Sequence, residues 1–207
     1  MKRSIFAMLL SLVAMAGFCQ SYYAILPVEI GKAITPEHGF LPGKKFQVYP
    51  TIEKYDFSGL RMRAELYDLR DSLNLKKIAC SEVEINNQSE FRGKDGALKF
   101  TEYFQTLCSQ SNIALDSASN DILTIRLEAL DSRLIGFGNI TAHGLCQVTM
   151  RWKDFSKSYC IDITDKSSHS PISKNAFITR KTATRVIQSA SMREGIEMFF
   201  ADLKTIR

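Results

Sequence analysis

The sequence predicts an α+β domain of two layers, a mainly antiparallel sheet with helices packed on one face. Three observations carry this. Residues 121–164 hold three successive runs in which apolar and polar side chains alternate. Residues 97–111 and 180–206 instead repeat apolar side chains at helical spacing. The order, a helix, three strands and a long closing helix, is that of helices gathered on one side of a sheet.

The strands come first. DILTIRLEALDSRLIGF, residues 121–137, sets Leu123, Ile125, Leu127 and Ala129 against Thr124, Arg126 and Glu128. ITAHGLCQVTMRW, residues 140–152, sets Cys146, Val148, Met150 and Trp152 against Gln147, Thr149 and Arg151. SKSYCIDIT, residues 156–164, sets Tyr159, Ile161 and Ile163 against Cys160, Asp162 and Thr164. Each run has one face to bury and one to wet, as in an antiparallel meander. GFGN (136–139) and KDFS (153–156) are the connecting turns. In ALKFTEYFQTLCSQS, residues 97–111, Phe100, Tyr103, Phe104 and Leu107 form a stripe, and Asp95 is placed to cap the start. Residues 180–206 align Ala183, Val186, Ile187, Ala190, Ile196 and Phe200 for the buried face of the sheet, with Gly195 as a point of bending.

The first half is less regular. Pro27, Pro36 and Pro42 with Gly31, Gly39 and Gly43 make residues 22–43 extended or loop-rich. KFQVYPTI, 45–52, reads as a strand broken at Pro50. LRMRAELYDLRDSL, 60–73, fits both periods, since Leu60, Met62, Ala64 and Leu66 alternate while Met62, Leu66, Leu69 and Leu73 share a helical face. A helix is expected because the pattern runs to Leu73 without a turn residue. KKIACSEVEINNQ, 76–88, reads as a strand ending in an Asn86–Asn87 turn. The expected organisation is a signal peptide over 1–19, an extended segment over 20–44 and one α+β domain over 45–207.

The leader rests on Lys2 and Arg3, then an apolar run, then small residues. The run is about 14 residues, short of the roughly 20 that span a bilayer. The chain is expected to be exported, periplasmic or secreted. AMA, residues 14–16, is a signal-peptidase site; cleavage after Cys19 would start the chain at Gln20; lipidation would instead anchor it through Cys19. Losing Lys2 and Arg3 leaves 25 basic and 22 acidic residues, a formal charge of +3 where the whole sequence has +5. That dispersed charge offers no basic stripe or stacking platform, so no nucleic-acid partner is expected.

Four cysteines follow the leader: Cys80, Cys108, Cys146 and Cys160. An exported chain can oxidise them, and four cysteines allow three pairings. No CxxC is present. Cys146 and Cys160 lie symmetrically about Lys153, so a hairpin could join them. Their faces disagree, since Cys146 sits with Val148 and Cys160 with Asp162, unless a bulge intervenes. Other pairings and free buried thiols stay open.

No residue is assigned a catalytic role, and no metal or cofactor is expected. His38, His143 and His169 have no ligand at metal spacing along the chain. His169 with Ser167, Ser168 and Ser170 reads as a solvated loop, without a nucleophile elbow. GFGN opens a strand, not the helix a phosphate loop requires. Glu82 and Glu84 read as the wet face of a strand. FTEYF reads as core before ligand groove, and Tyr22 and Tyr23 as part of the fold before a membrane or partner contact.

SEVEINN, ALKFTEYFQTLC, DILTIRLEAL, ITAHGLCQVTMRW, SYCIDIT and the closing TRKTATRVIQSASMREGIEMFFADL together, over residues 83–203, resemble in order the YajG-type and ABC-transport auxiliary lipoproteins of the bacterial envelope. The resemblance implies a non-enzymatic periplasmic α+β domain, often membrane-tethered, that assists envelope assembly or lipid transport. Those lipoproteins carry a small residue before the lipidated cysteine, where this chain has Phe18. Residues 31–75 have no counterpart. The expected function is thus a non-catalytic exported accessory or binding role in the envelope, with an envelope protein or lipid as partner and peripheral membrane contact. The alternatives are an exported hydrolase assembled from distant residues and a secreted structural or host-interaction domain.

Overall fold

The computed structural model describes residues 21–27, 55–86, 94–167 and 179–207. Its elements are β1 (Ser21–Ile25), β2 (Arg61–Asp68), α1 (Arg70–Leu73), α2 (Lys94–Gln110), β3 (Ala114–Leu115), β4 (Ile122–Ile135), β5 (Thr141–Trp152), β6 (Phe155–Thr164) and α3 (Arg180–Ile206). The sheet runs β1-β2-β4-β5-β6, with β3 beside the start of β2. The β1–β2, β4–β5 and β5–β6 pairs are antiparallel, while β2 pairs in parallel with β3 and β4. The two long helices cover one face, giving the two-layer α+β sandwich the sequence predicts.

The three alternating runs become β4, β5 and β6. Gly136 and Gly138 supply positive φ angles (120° and 83°) in the first turn. The second turn is only Lys153 and Asp154, with Lys153 at φ 54° and Trp152 opposite Phe155. Strand β1 lies within the N-terminal segment expected to be extended, and Tyr22 pairs with Tyr67 there. The expected strand over 45–52 lies outside the described residues.

Three sequence expectations are corrected. Residues 61–68 form a strand, not a helix, and only Arg70–Leu73 turns helical. The two periods coincide at Met62 and Leu66, so pattern alone cannot separate them. The vacant slot between β1 and β4 decides, because pairing there satisfies both edges of the backbone. Leu69 still donates its N–H to Leu127 O, and Arg70 then folds back on Asp68 with two bonds of 2.8 and 2.7 Å. Residues 76–86 are not a strand. They make one isolated bridge, Lys77 to Glu84, around a turn at Ala79 and Cys80. Ala129 does not share a face with Leu127, because β4 carries a bulge between them. Glu128 is the extra residue, and beyond it Leu130 takes the helix-facing side.

Helix α2 holds Phe100, Tyr103 and Phe104 fully buried, so FTEYF is core. It begins at Lys94, one residue before the expected cap. Helix α3 is capped by Thr179, whose hydroxyl accepts from Thr182 N at 3.2 Å. Phe200 of α3 meets Phe57 and Phe104 edge-on, at centroid distances of 5.8 and 6.0 Å, joining the residues before β2 to both helices. Within α3, Ser189 and Ser191 are buried yet satisfied, each donating to a carbonyl three residues back.

Two glycines let α3 lie against the sheet. A Cβ on Gly144 of β5 would collide with the backbone carbonyl of Ile187. On Gly195 it would stand 3.2 Å from Ile161 Cδ1 and 3.3 Å from Val148 Cγ1, both movable side-chain tips. The helix runs unbroken through Gly195, so this glycine answers to close packing. At the far end, Asp202 Oδ2 accepts from Lys157 Nζ and from Tyr159 Oη, each at 2.7 Å, pinning α3 to β6. Burial drives the Tyr159 phenol upward and the Asp202 bond adds to it. Burial also pushes the Asp202 carboxyl up, but the Lys157 and Tyr159 hydrogen bonds outweigh it and the net shift is downward.

Gly144→Ala should destabilise the protein by about 3 kcal/mol in urea titrations, since backbone must move. Gly195→Ala should stay within about 1 kcal/mol, because a gain in helix propensity offsets the crowding. Asp202 has a folded pKa below its unfolded one, so its contribution is complete above the unfolded value of about 3.9 and fades as pH falls below it. Asp202→Asn should flatten that acid limb of the stability profile, and an unchanged limb would remove Asp202 from this role.

Candidate functional site

Among the described residues, the sheet face away from the helices divides into a covered half and an open half, and the bulge at Glu128 marks the boundary. Beyond it, β4 turns Ala129 and Asp131 outward, opposite Gln147 and Leu145 of β5. An apolar pair and a carboxylate there need cover, and residues 75–86 supply it. Ile78 is buried against Ala129 and Leu145, with Leu75, Val83, Ile85 and Cys160 packed around it. Asp131 is fully buried, its carboxylate accepting from Asn86 N (2.7 Å) and Ser132 N (2.8 Å).

Polar contacts fix the cover. Ala79 N donates to Gln147 Oε1 at 2.9 Å, Gln147 Nε2 donates to Glu128 Oε2 at 2.8 Å, and Thr149 Oγ1 donates to Glu128 Oε1 at 2.8 Å. The bulge residue thus ties the cover to the open half. Arg133 Nη1 donates to Glu84 O at 3.1 Å. Ser81 Oγ donates to Asp162 Oδ2, and His143 Nδ1 meets Asp162 Oδ1 at 2.9 Å.

The disulfide belongs to this cover. It joins Cys80 to Cys160, with Cα atoms 5.8 Å apart, and not Cys146 to Cys160. The two-residue turn sets Gln147 opposite Cys160 and Cys146 opposite Ile161, so Cys146 points at the helices and Cys160 at the cover. The face conflict visible in the sequence is therefore real, and the bulge lies in β4, on the wrong side of β5 to relieve it. Cys108 and Cys146 are free and fully buried. Burial pushes both thiols up, Cys146 to about 12, with Arg70 opposing slightly. Cys19, His38 and His169 lie outside the described residues.

Of the histidines weighed from the sequence, His143 meets Asp162, named there only as a polar strand position, and Asp162 in turn meets Ser81, which the sequence did not single out. Their order matters. A hydrolytic triad places histidine between serine and carboxylate, so that the imidazole takes the hydroxyl proton. Here the carboxylate stands between, and Ser81 Oγ also accepts from Val83 N at 3.1 Å. That arrangement holds a turn. Glu82 pairs with Lys77 at 2.7 Å on the cover. Among the described residues, no three His, Cys, Asp or Glu side chains gather as metal ligands, and no helix is long and apolar enough to cross a membrane.

The open half carries Tyr22 and Tyr67, with ring centroids 5.4 Å apart, beside Arg126, Thr149 and Arg151. Arg126 and Arg151 are exposed, and neither has a carboxylate partner among the described residues. Below them Glu65, Asn120, Asp121, Ile122, Thr124, Arg151 and Lys153 line a hollow of about 360 Å³. Carboxylates interleave with the cations there: Arg63 pairs with Glu65 at 3.0 Å and Lys153 reaches Asp121 at 3.4 Å. A second hollow of about 260 Å³ lies between β6 and α3, lined by Ile161, Ile163, Glu194 and Met198 among others.

No family model matches the chain, and no curated protein matches it. Among solved structures it is similar to a Xanthomonas campestris protein, XCC0632, described with the DUF330 family model. Identity is 11%, the TM-score is 0.37, and the match covers 76% of this chain and 94% of that one. At that distance the likeness assigns neither family nor function.

The native protein should resist alkylation at Cys108 and Cys146, and mass spectrometry should find both labelled only after denaturation. Labelling of either in the native state would contradict its burial.

Proposed function

We propose that the protein is an exported, non-catalytic accessory protein of the cell envelope that binds a protein partner through the open half of its outer sheet face. The observation that carries this reading is the unequal treatment of one sheet face. Residues 75–86 cover one half, while the other presents two tyrosines, two arginines with no carboxylate partner among the described residues, and a polar hollow. Tyrosine and arginine are the side chains that most often anchor protein interfaces. Interleaved Glu65, Asp121 and Glu128 favour a protein surface of mixed charge over an anionic lipid layer, which would meet them with repulsion. Export is supported by the leader over residues 1–19 and by the disulfide, a bond kept in oxidising compartments. The envelope assignment rests on the resemblance in element order to YajG-type and ABC-transport auxiliary lipoproteins. Among the described residues, a hydrolase built on His143 would need a serine on its imidazole, whereas Ser81 donates to Asp162.

Gentle crosslinking in cells, read by mass spectrometry, tests this with Arg126→Glu/Arg151→Glu beside the wild type. Wild type should capture a defined envelope protein, and the double variant should lose about tenfold or more of it, as expected for a central interface cation. Equal capture by both would refute the open half as the binding face, and recovery of lipid without protein would refute the protein partner.

A further inference from the structure

Residues 75–86 are bound to the sheet more by their crosslink than by packing. They bury one side chain deeply, Ile78, while Leu75, Ser81, Val83 and Ile85 are half-buried and the remaining residues are exposed. The sheet below has a separate, much larger core on its other face. Cys80 itself is exposed, and Cys160 is half-buried beneath it. A disulfide with one exposed cysteine, holding a lightly packed segment to a larger core, has the properties of an exchangeable bond.

We propose that the Cys80–Cys160 disulfide is a latch, opened at Cys80 by a dithiol of the thiol–disulfide oxidoreductase class, and that opening it releases residues 75–86 from an otherwise intact sheet. The thiolate of the dithiol attacks Cys80 Sγ, the Cys80–Cys160 bond breaks, and its electron pair leaves on Cys160 Sγ, which takes up a proton. The second thiol of the reductant then attacks its own sulfur in the mixed disulfide and Cys80 departs as a thiol. Two electrons and two protons pass to the protein, and the reductant ends as a disulfide. The backbone N–H of Cys80 donates to Cys160 Sγ at 2.9 Å, which favours charge building on Cys160 as it leaves. Attack at the other sulfur is hindered by the cover. With the bond open, only Ile78 and a few hydrogen bonds, among them Asn86 N to the Asp131 carboxylate, hold the segment, and its departure uncovers Ala129, Leu145 and Asp131 together with the His143–Asp162 pair. Because this concerns the covered half, it stands or falls apart from partner binding by the open half.

The test treats the full mature chain with dithiothreitol, without denaturant, and follows pulse alkylation and amide hydrogen exchange by mass spectrometry. Cys80 and Cys160 should become alkylated while Cys108 and Cys146 do not. Exchange across residues 75–86 should rise by about tenfold or more while β4, β5 and α3 keep their protection. Cys80→Ser/Cys160→Ser should show the same exchange pattern with no reductant. Resistance of the bond until the protein is denatured would overturn the proposal. So would labelling of all four cysteines at one rate, unchanged exchange in residues 75–86, or failure of the double variant to fold, since each denies a local opening.

Discussion

One extra residue, Glu128, sets the terms for the rest of the sheet. A strand that inserts a residue exchanges the faces of everything beyond it. Before the bulge β4 sends its aliphatic side chains to the helices and its polar ones to solvent. After it, Leu130 is brought to the helix side, and Ala129 and Asp131 stand on the outer face beside Leu145. A carboxylate and two apolar side chains in that position are stabilised by cover. The covering segment, the hydrogen bonds that satisfy Asp131 and the bond between Cys80 and Cys160 all follow from that displacement. The carboxylate of Glu128 completes the arrangement by holding Gln147 and Thr149.

The other side of the sheet answers to a constraint of distance. Helix α3 lies so near β5 that backbone meets backbone at Gly144 and Ile187. Such closeness brings Val186, Ile187, Ala190, Ile196 and Phe200 into one core with the strands, each buried aliphatic or aromatic side chain contributing roughly 1.5–3 kcal/mol. Lys157, Tyr159 and Asp202 fix the same helix at its other end.

Much of this was legible in the amino-acid sequence, and the misses have definite causes. Strands β4, β5 and β6 and helices α2 and α3 announce themselves because each puts a long, regular apolar pattern against one partner layer. Strand β2 was hidden because Met62 and Leu66 satisfy both periods, and only its neighbours could choose between them. Residues 76–86 alternate well enough to imitate a strand, yet they pair with themselves and bury little. The bulge left no local mark, since Glu128 is an ordinary polar residue in a polar position. With it went the assignment of Ala129 and the need for any cover on the outer face. The face argument correctly told against joining Cys146 to Cys160, but no spacing rule could bring Cys80 across 80 residues to replace it. The β5–β6 hairpin sets His143 beside Asp162, but the arrival of Ser81 was out of reach, because only the cover brings it there.

The pattern of cysteines also bears on how the chain matures. Between Cys80 and its partner lie Cys108 and Cys146, both of which end as thiols in the core. Among the four cysteines beyond residue 19, oxidation in order along the chain would join Cys80 to Cys108 and strand the helix bearing that thiol. Correct maturation therefore depends on timing: α2 and β5 must hide their sulfurs before oxidation reaches them, or a mispaired intermediate must be reshuffled. The core acts here as a protecting group, withholding two nucleophiles so that the remaining pair can find each other.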